Sequence, residues 1–424
     1  MDSTVPPNKL EPTVRTRSGA VPLPLSLRKF WLWSVVAFGL MFLLVFLEER
    51  RADPGVSFSP LVDPLFGDLL EYIPTFQFLH TAAFFHNANP VIYPPVAYPS
   101  FGAVLYALCY LGSHPVIFYL TVAALWIALV EWGVRRALLR EGVSRWVATL
   151  FPLTALIVSF PLEGLLQRAN IELFVWIFAA SGVWAFLRDR DDAAAVLWAC
   201  AASAKLYPIV LLVLLLPRKK YRAFLVGVAS FVLISLASME YLGPSIPVAL
   251  RGALDGVFGY QGMRAVEWGA HDLGTNHSFF GLVKVVVWLV GGSTARMALP
   301  YYACGGVIFA AVFFGRVRKM PVANQLLVVS LFMVMLPTTS YFYTLVHLYA
   351  PLVVLVLIAI RAGRNGVEIP GLSTVIRLFV PVFAAYTLFT FSVFHLWGGV
   401  IQGLLLVWLF VWAVRFPFAE PVQS

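Results

Sequence analysis

Long apolar blocks separated by short basic clusters dominate this chain, with neither the strict alternation of strands nor the three-to-four-residue spacing of surface helices. The first block runs from Phe30 to Leu47 and is entered from a side carrying Arg15, Arg17, Arg28 and Lys29. By the positive-inside rule that side, and with it the amino terminus, is cytoplasmic. Further basic clusters mark the same face: Arg135, Arg136, Arg140 and Arg145; Arg188 and Arg190; Arg218, Lys219, Lys220 and Arg222; Arg316, Arg318 and Lys319; and Arg361 and Arg364. Joining them by full spans of about 17 to 25 residues predicts passes near 114–134, 147–162, 171–187, 222–241, 298–315, 322–337, 344–360, 375–393 and 399–414. With the first block that makes about ten passes and a cytoplasmic carboxyl terminus.

Three apolar segments do not fit this parity: 96–112, 193–216 and 278–292. The second begins and ends beside basic clusters and is interrupted at Tyr207-Pro208, so two half-helices forming a hairpin fit better than one crossing. The other two are open between re-entrant segments and true spans. The predicted fold class is an all-α polytopic membrane protein with about 10–13 transmembrane or re-entrant helices. Residues 1–28 read as a disordered cytoplasmic tail, 29–415 as one transmembrane domain with extracytoplasmic loops at 48–95 and 242–277, and 416–424 as a second cytoplasmic tail.

Composition agrees with the pattern and removes other classes. The chain is 60% hydrophobic and 12% charged, about half the charge of an average soluble domain. Its net charge of +9 comes from topological clusters, which argues against nucleic acid as a partner and leaves membrane lipids as the surroundings. The three cysteines, Cys109, Cys200 and Cys304, stand apart in apolar stretches and offer neither a disulfide framework nor a metal site. The first 28 residues lack the apolar core of a cleaved signal peptide, so the first span is expected to remain as an anchor.

Polar chemistry collects on the predicted extracytoplasmic side. The first loop is longer than a connection needs to be, and it holds Asp63, Asp68, Glu71, His80, His86 and the cluster Tyr93-Pro94-Pro95. Later segments on that side add Glu163, Arg168, Asn170, Asp255, Arg264, Glu267, His271, Asp272, Asn276, His277, Tyr341 and Tyr343. His80 and His86 have no partner pattern for a metal site, and no metal or cofactor is expected.

The order of short motifs is informative: Asp68-Leu-Leu-Glu-Tyr72, then Tyr93-Pro94-Pro95 opening an apolar helix, then Gln167-Arg168-Ala169-Asn170, then Lys205-Leu-Tyr207-Pro208 followed by Arg218-Lys219-Lys220. Over roughly residues 60 to 350 the chain resembles glycosyltransferase family 87, polytopic enzymes of the C-type superfamily that use polyprenyl-phosphate sugars, such as the polyprenyl-phosphomannose-dependent mannosyltransferases. Asp68 and Tyr72 match the family's D-x-x-x-Y stretch in the first extracytoplasmic loop, Tyr93 to Pro95 its YPP motif and Lys205 to Pro208 its KPYP-like element. Two departures stand out. The usual Gly-Gln-x-Asn is Gln167 to Asn170 here, and the usual Ser-aromatic-x-His reads Ser340-Tyr341-Phe342-Tyr343, so the histidine is lost or its role passes to His347.

The resemblance implies a C-type architecture, and a transferase in the cell membrane moving a hexose such as mannose from a polyprenyl-phosphate donor to a lipid-linked or glycan acceptor on the extracytoplasmic side. Inverting transfer from such a donor needs a single carboxylate to take the acceptor's proton, because the leaving group is already a stable phosphate. This differs from glycoside hydrolysis, where two carboxylates flank the bond. Asp68 is the candidate base; the alternative is a helix-capping role, with Asp63 as a rival base. Glu71 lies on the same helical face as Asp68 and either holds an acceptor hydroxyl or is a solvated charge. Arg168 breaks the positive-inside trend and suits a phosphate, or else pairs with Glu163 or Glu172. Asn170, Asn276, His277, Tyr343 and His347 complete the candidate substrate contacts, with Tyr72, Phe84, Phe85, Tyr93 and Tyr98 as aromatic platforms for a sugar. For Asn276 and His277 the alternative is a helix cap, for His347 a structural hydrogen bond, and for Lys205 snorkelling to the cytoplasmic face. The competing functional class is a transporter or flippase of lipid-linked sugars.

Overall fold

A chain inside a bilayer must satisfy its backbone groups internally, and the described residues do so with helices. The computed structural model describes residues 22–51, 65–86, 98–266, 274–294, 296–390 and 397–419. Asp63, Tyr93 to Pro95, Glu267, His271 and Asp272, and the side chains of His86 and Arg264, lie outside what is described.

Helix α1 (Leu25–Arg51) begins inside the expected tail and is tied to the bundle where the Trp31 indole donates to Thr154 Oγ1 at 2.6 Å. The following loop carries α2 (Gly67–Leu70), a 3-10 turn (Ile73–Phe78) and α3 (Ala83–His86) before α4 (Ser100–Cys109) and the long α5 (Pro115–Arg140). The expected single span at 147–162 is instead α6 (Arg145–Ile157) and α7 (Phe160–Arg168), bent by 57° at their junction. The break falls at Ser159, which is extended, and Pro161 sits in the first turn of α7, where its missing N–H is tolerated and where it could not have continued α6.

Next come α8 (Glu172–Phe186), α9 (Asp191–Ala204) and a 3-10 segment (Tyr207–Leu215). The last two form the predicted hairpin, because its two ends meet: Asp191 at the start of α9 pairs with Lys220 at 3.0 Å and with Arg218 at 3.7 Å beyond the exit. Its tip, Lys205, is extended between the two halves. Helix α4 packs on this tip through Gly102, where a Cβ would stand 2.8 Å from the Ala204 carbonyl oxygen.

Helix α10 (Tyr221–Leu242) is followed by α11 (Ile246–Val266), so most of the expected loop at 242–277 is helix. Arg251, Asp255 and four glycines interrupt its apolar run without breaking its backbone, and Pro247 sits in the first turn, where it is tolerated. The remaining helices are α12 (Phe279–Leu289), α13 (Ala298–Gly315), α14 (Val322–Met335), a 3-10 segment (Phe342–Leu348) leading into α15 (Tyr349–Arg364), α16 (Leu372–Thr390) and α17 (Gly398–Arg415).

Among the described residues five helices are long and apolar enough to cross a membrane, or six if the bent α6–α7 pair is one span. Expected spans at 171–187 and 322–337 are helices of 15 and 14 residues, shorter than the roughly 20 that a perpendicular crossing takes. Every residue of α14 after Val322 is buried, so this apolar run fills the interior of the bundle and does not face lipid. The expected tail at 416–424 is anchored at its start: Asn324 bonds the Ala413 and Phe416 carbonyls and accepts from the Phe418 amide, and Phe418 is fully buried. The chain is therefore an all-α polytopic membrane protein.

Candidate active site

The site is built around the turn between α7 and α8. Helix α7 ends at Arg168 because Ala169 takes the left-handed conformation, φ 47°, which costs a residue with a Cβ about 1–2 kcal/mol. Two buried tyrosines hold the turn in place. Tyr106 of α4 accepts from the Ile171 amide at 2.8 Å and donates to the Ala169 carbonyl at 3.3 Å, while Tyr119 of α5 donates to the Asn170 carbonyl at 2.9 Å. On the other side α7 lies against the 342–348 segment through Gly164, where a Cβ would fall 1.9 Å from the Phe342 ring. Arg168 and Asn170 thus project from a fixed backbone.

Asp68 meets them from α2. The Phe66 amide donates to the Gln167 carbonyl at 2.6 Å, the Leu69 carbonyl accepts from the Tyr110 hydroxyl, and Phe66 itself is left-handed at φ 60°. So anchored, Asp68 is 7% exposed. Its Oδ1 accepts from Arg168 Nη2 at 2.6 Å and its Oδ2 from Asn170 Nδ2 at 2.5 Å. The partner of Arg168 is therefore Asp68 and neither Glu163 nor Glu172. The Arg168 side chain is 32% exposed, and its Nε–H is buried with no acceptor among the described residues. Glu71, one turn on, has its carboxyl pushed up from the usual value by burial and then by the charge of Asp68, with Arg168 opposing.

A second carboxylate lies deeper. Glu172, in the first turn of α8, is fully buried; its Oε2 accepts from Lys205 Nζ at 2.6 Å, and its Oε1 from His347 Nε2 at 2.5 Å and from the Tyr207 hydroxyl. Asn170 joins the two centres, since its Oδ1 accepts from Lys205 Nζ at 3.2 Å and from the Glu172 amide at 2.9 Å. The Lys205 ammonium lies 5.3 Å from the Tyr98 ring centre and 5.2 Å from that of Tyr343, within cation–π range. Asp68, Arg168, Lys205 and Glu172 give two negative and two positive groups in one connected chain, exposed at its Arg168 end, a balance that makes burial of the inner ions tolerable.

The structure brings Asp68, Glu71, Arg168, Asn170, Tyr343 and His347 into one region, with Tyr72 beneath: its ring stacks on Tyr98 at 5.6 Å and meets Tyr106 at 5.1 Å. Asn276 and His277 use their side chains elsewhere. Asn276 bonds the Thr338 carbonyl and the Ser340 and Ser278 amides, and His277 Nε2 contacts Ser340 Oγ at 3.1 Å and Thr344 Oγ1 at 3.3 Å, stitching the start of α12 to the 338–344 segment. Ser278 caps α12 by accepting from the Gly281 amide. Phe84 and Phe85 pack in a separate small core with Leu242 and Ala249. Lys205 does not snorkel to the hairpin base; it points into the site. Glu172, Lys205 and Tyr207 are the groups that sequence reasoning left out of the site, although an acid opening an otherwise apolar helix and a lysine beside a helix break were both visible.

Fold and site together define a membrane-embedded protein in which two carboxylates, two cations and several tyrosines meet at the ends of short and broken helices. Residues 92–338 match the sequence model of glycosyltransferase family 87, well over half of the chain, and the chain belongs to that family. It is a glycosyltransferase, which decides against the transporter reading. The matched stretch holds Arg168, Asn170, Glu172 and Lys205, while Asp68 and His347 lie on either side of it. No curated protein and no solved structure matches the chain significantly.

Proposed function

We propose that this enzyme transfers a hexose, mannose in the first instance, from a polyprenyl phosphate to a lipid-linked or glycan acceptor on the extracytoplasmic side, with inversion at C1. The observation that carries the reading is the Asp68–Arg168 pair: a buried carboxylate held by an arginine that still has an unused donor and a third of its side chain open. The Arg168 guanidinium occupies Oδ1 of Asp68 at 2.6 Å. A lipid phosphate offers the Arg168 fork a better partner, with oxygens matched to bidentate binding. Donor binding then draws Arg168 from Asp68 and frees Oδ1.

In the transfer step the acceptor hydroxyl oxygen bonds to C1 while the bond from C1 to the phosphate oxygen breaks. The hydroxyl proton passes to Asp68, and the electron pair leaves with polyprenyl phosphate, whose charge Arg168 stabilises. Asp68 afterwards returns its proton to water. The tyrosines around Asn170 supply flat surfaces for the sugar, and Glu71 stands where it can accept from an acceptor hydroxyl.

The test uses purified enzyme in nanodiscs with radiolabelled polyprenyl-phosphate mannose as donor and octyl α-mannoside as acceptor. Labelled disaccharide of inverted configuration is expected from the parent and not from Asp68→Asn. Unimpaired transfer by a folded Asp68→Asn variant would sink the assignment of the base. Transfer from another polyprenyl-phosphate sugar, and none from the mannose donor, would replace the sugar and leave the mechanism.

A further inference from the structure

Glu172 looks at first like a second candidate base, but its coordination argues otherwise. A carboxylate offers about four lone-pair positions, and Lys205, His347 and Tyr207 occupy both oxygens of a side chain with no exposure. No acceptor hydroxyl can reach it. Lys205 is in the opposite situation. Its ammonium has three N–H donors, of which Glu172 and Asn170 take two, and its side chain keeps 12% exposure beneath Tyr98 and Tyr343.

Two further facts bear on Lys205. It is at the tip of a hairpin whose base is pinned by Asp191 to Arg218 and Lys220, so its height in the bundle is fixed, but its backbone is extended where the helix breaks and does not itself fix the side chain. Moreover, Lys205 and Arg168 approach Asn170 from two sides, Lys205 on Oδ1 and Arg168 through the Asp68 carboxylate on Nδ2. Asn170 thus links the two cations, directly to Lys205 and through Asp68 to Arg168, and a phosphate has oxygens enough to accept from both.

We propose that Glu172 is a positioning residue for sugar transfer: it holds Lys205 beside Asn170 so that Lys205 and Arg168 receive the donor's phosphate together. The inference rests on the polyprenyl-phosphate reading given above. Glu172 acts only through Lys205, with His347 and Tyr207 fixing the carboxylate from its other oxygen. It neither touches the sugar nor moves a proton in the reaction.

A double-mutant cycle tests this, because a residue acting through another contributes nothing once the other is gone. The readout is the Kd of the nanodisc-embedded enzyme for polyprenyl phosphate, the product common to every sugar donor of this class. Glu172→Gln and Lys205→Met are each expected to weaken binding about tenfold or more, the worth of a charge-assisted hydrogen bond. The double variant should bind no more weakly than Lys205→Met alone, and Glu172→Asp should recover part of the loss. Multiplicative losses in the double variant, or parental affinity in Glu172→Gln, would overturn the proposal. Should Glu172→Gln not fold, Tyr207→Phe loosens the carboxylate without changing charge: a severalfold weaker Kd supports the role, and an unchanged Kd refutes it. Asp68→Asn, assayed for transfer alongside, separates the two claims. Its retention of activity would remove the base while leaving the cycle to stand or fall by itself, whereas its inactivity with an additive cycle removes Glu172 alone.

Discussion

Two carboxylate–cation pairs sit on either side of Asn170, both at 2.6 Å, and they differ in nearly everything else. Asp68–Arg168 is at the rim. Its arginine is 32% exposed and keeps a spare donor, and its aspartate comes from a four-residue helix on a loop. Glu172–Lys205 is sealed: the glutamate has no exposure and two further donors, and the lysine is held by a pinned hairpin. Equal distance does not make equal pairs, because the cost of separating two ions depends on what replaces each partner. Water reaches the open third of Arg168, whereas the Glu172 side chain has no exposure through which a replacement could enter. On the proposed mechanism the rim pair opens and the sealed pair stays.

The contrast can be broken in four ways, taken from the largest effect to the smallest. Asp68→Asn should lower kcat by about 10²- to 10⁴-fold, the range for loss of a general base, while thermal unfolding in detergent changes little. A large fall in stability instead would give Asp68 a structural role. Lys205→Met leaves a buried, uncompensated carboxylate and should cost about 3–5 kcal/mol of stability, read as a lower unfolding temperature. Arg168→Gln, by contrast, should cost no more than about 1 kcal/mol of stability, since the pair is partly solvated, yet raise the donor KM about tenfold or more. If these two variants destabilise equally, the distinction between rim and sealed pair fails.

The smallest effect belongs to Glu71. Its pKa is raised from 4.5 in the fold by burial and by Asp68, so the folded state binds the proton more tightly than the unfolded chain. That contribution is complete below the unfolded pKa and is lost as pH rises through the folded one. Glu71→Gln, which copies the protonated form, should therefore unfold at a slightly higher temperature than the parent at neutral pH, with the gap closing below about pH 4.5. A gap that persists at low pH would point to packing and not to charge.

How much of this was legible beforehand differs from one residue to the next. Asp68 was singled out by its place in a long polar loop and by motif order, and Arg168 by a positive charge on the wrong side for topology. Their mutual pairing was not legible, because 100 residues separate them. Glu172 was visible as a lone acid opening an apolar helix, but its partners lie 33, 35 and 175 residues away, beyond the reach of any local spacing rule. The same limit explains α14: an apolar run long enough to suggest a span reads identically whether lipid or protein surrounds it. The broken helix at Tyr207-Pro208 was readable, since proline acts on its own neighbours.

What the sequence determined by itself is therefore what local chemistry controls: a membrane environment from continuous apolar blocks, helix breaks from proline, the hairpin from basic residues at both ends, and the family from motif order. The tertiary structure decided which charges meet. In a low-dielectric interior each buried ion must find its counterpart wherever the packing of distant helices places it, and only that packing put Lys205 on Glu172 and Arg168 on Asp68 with a third of the arginine left open.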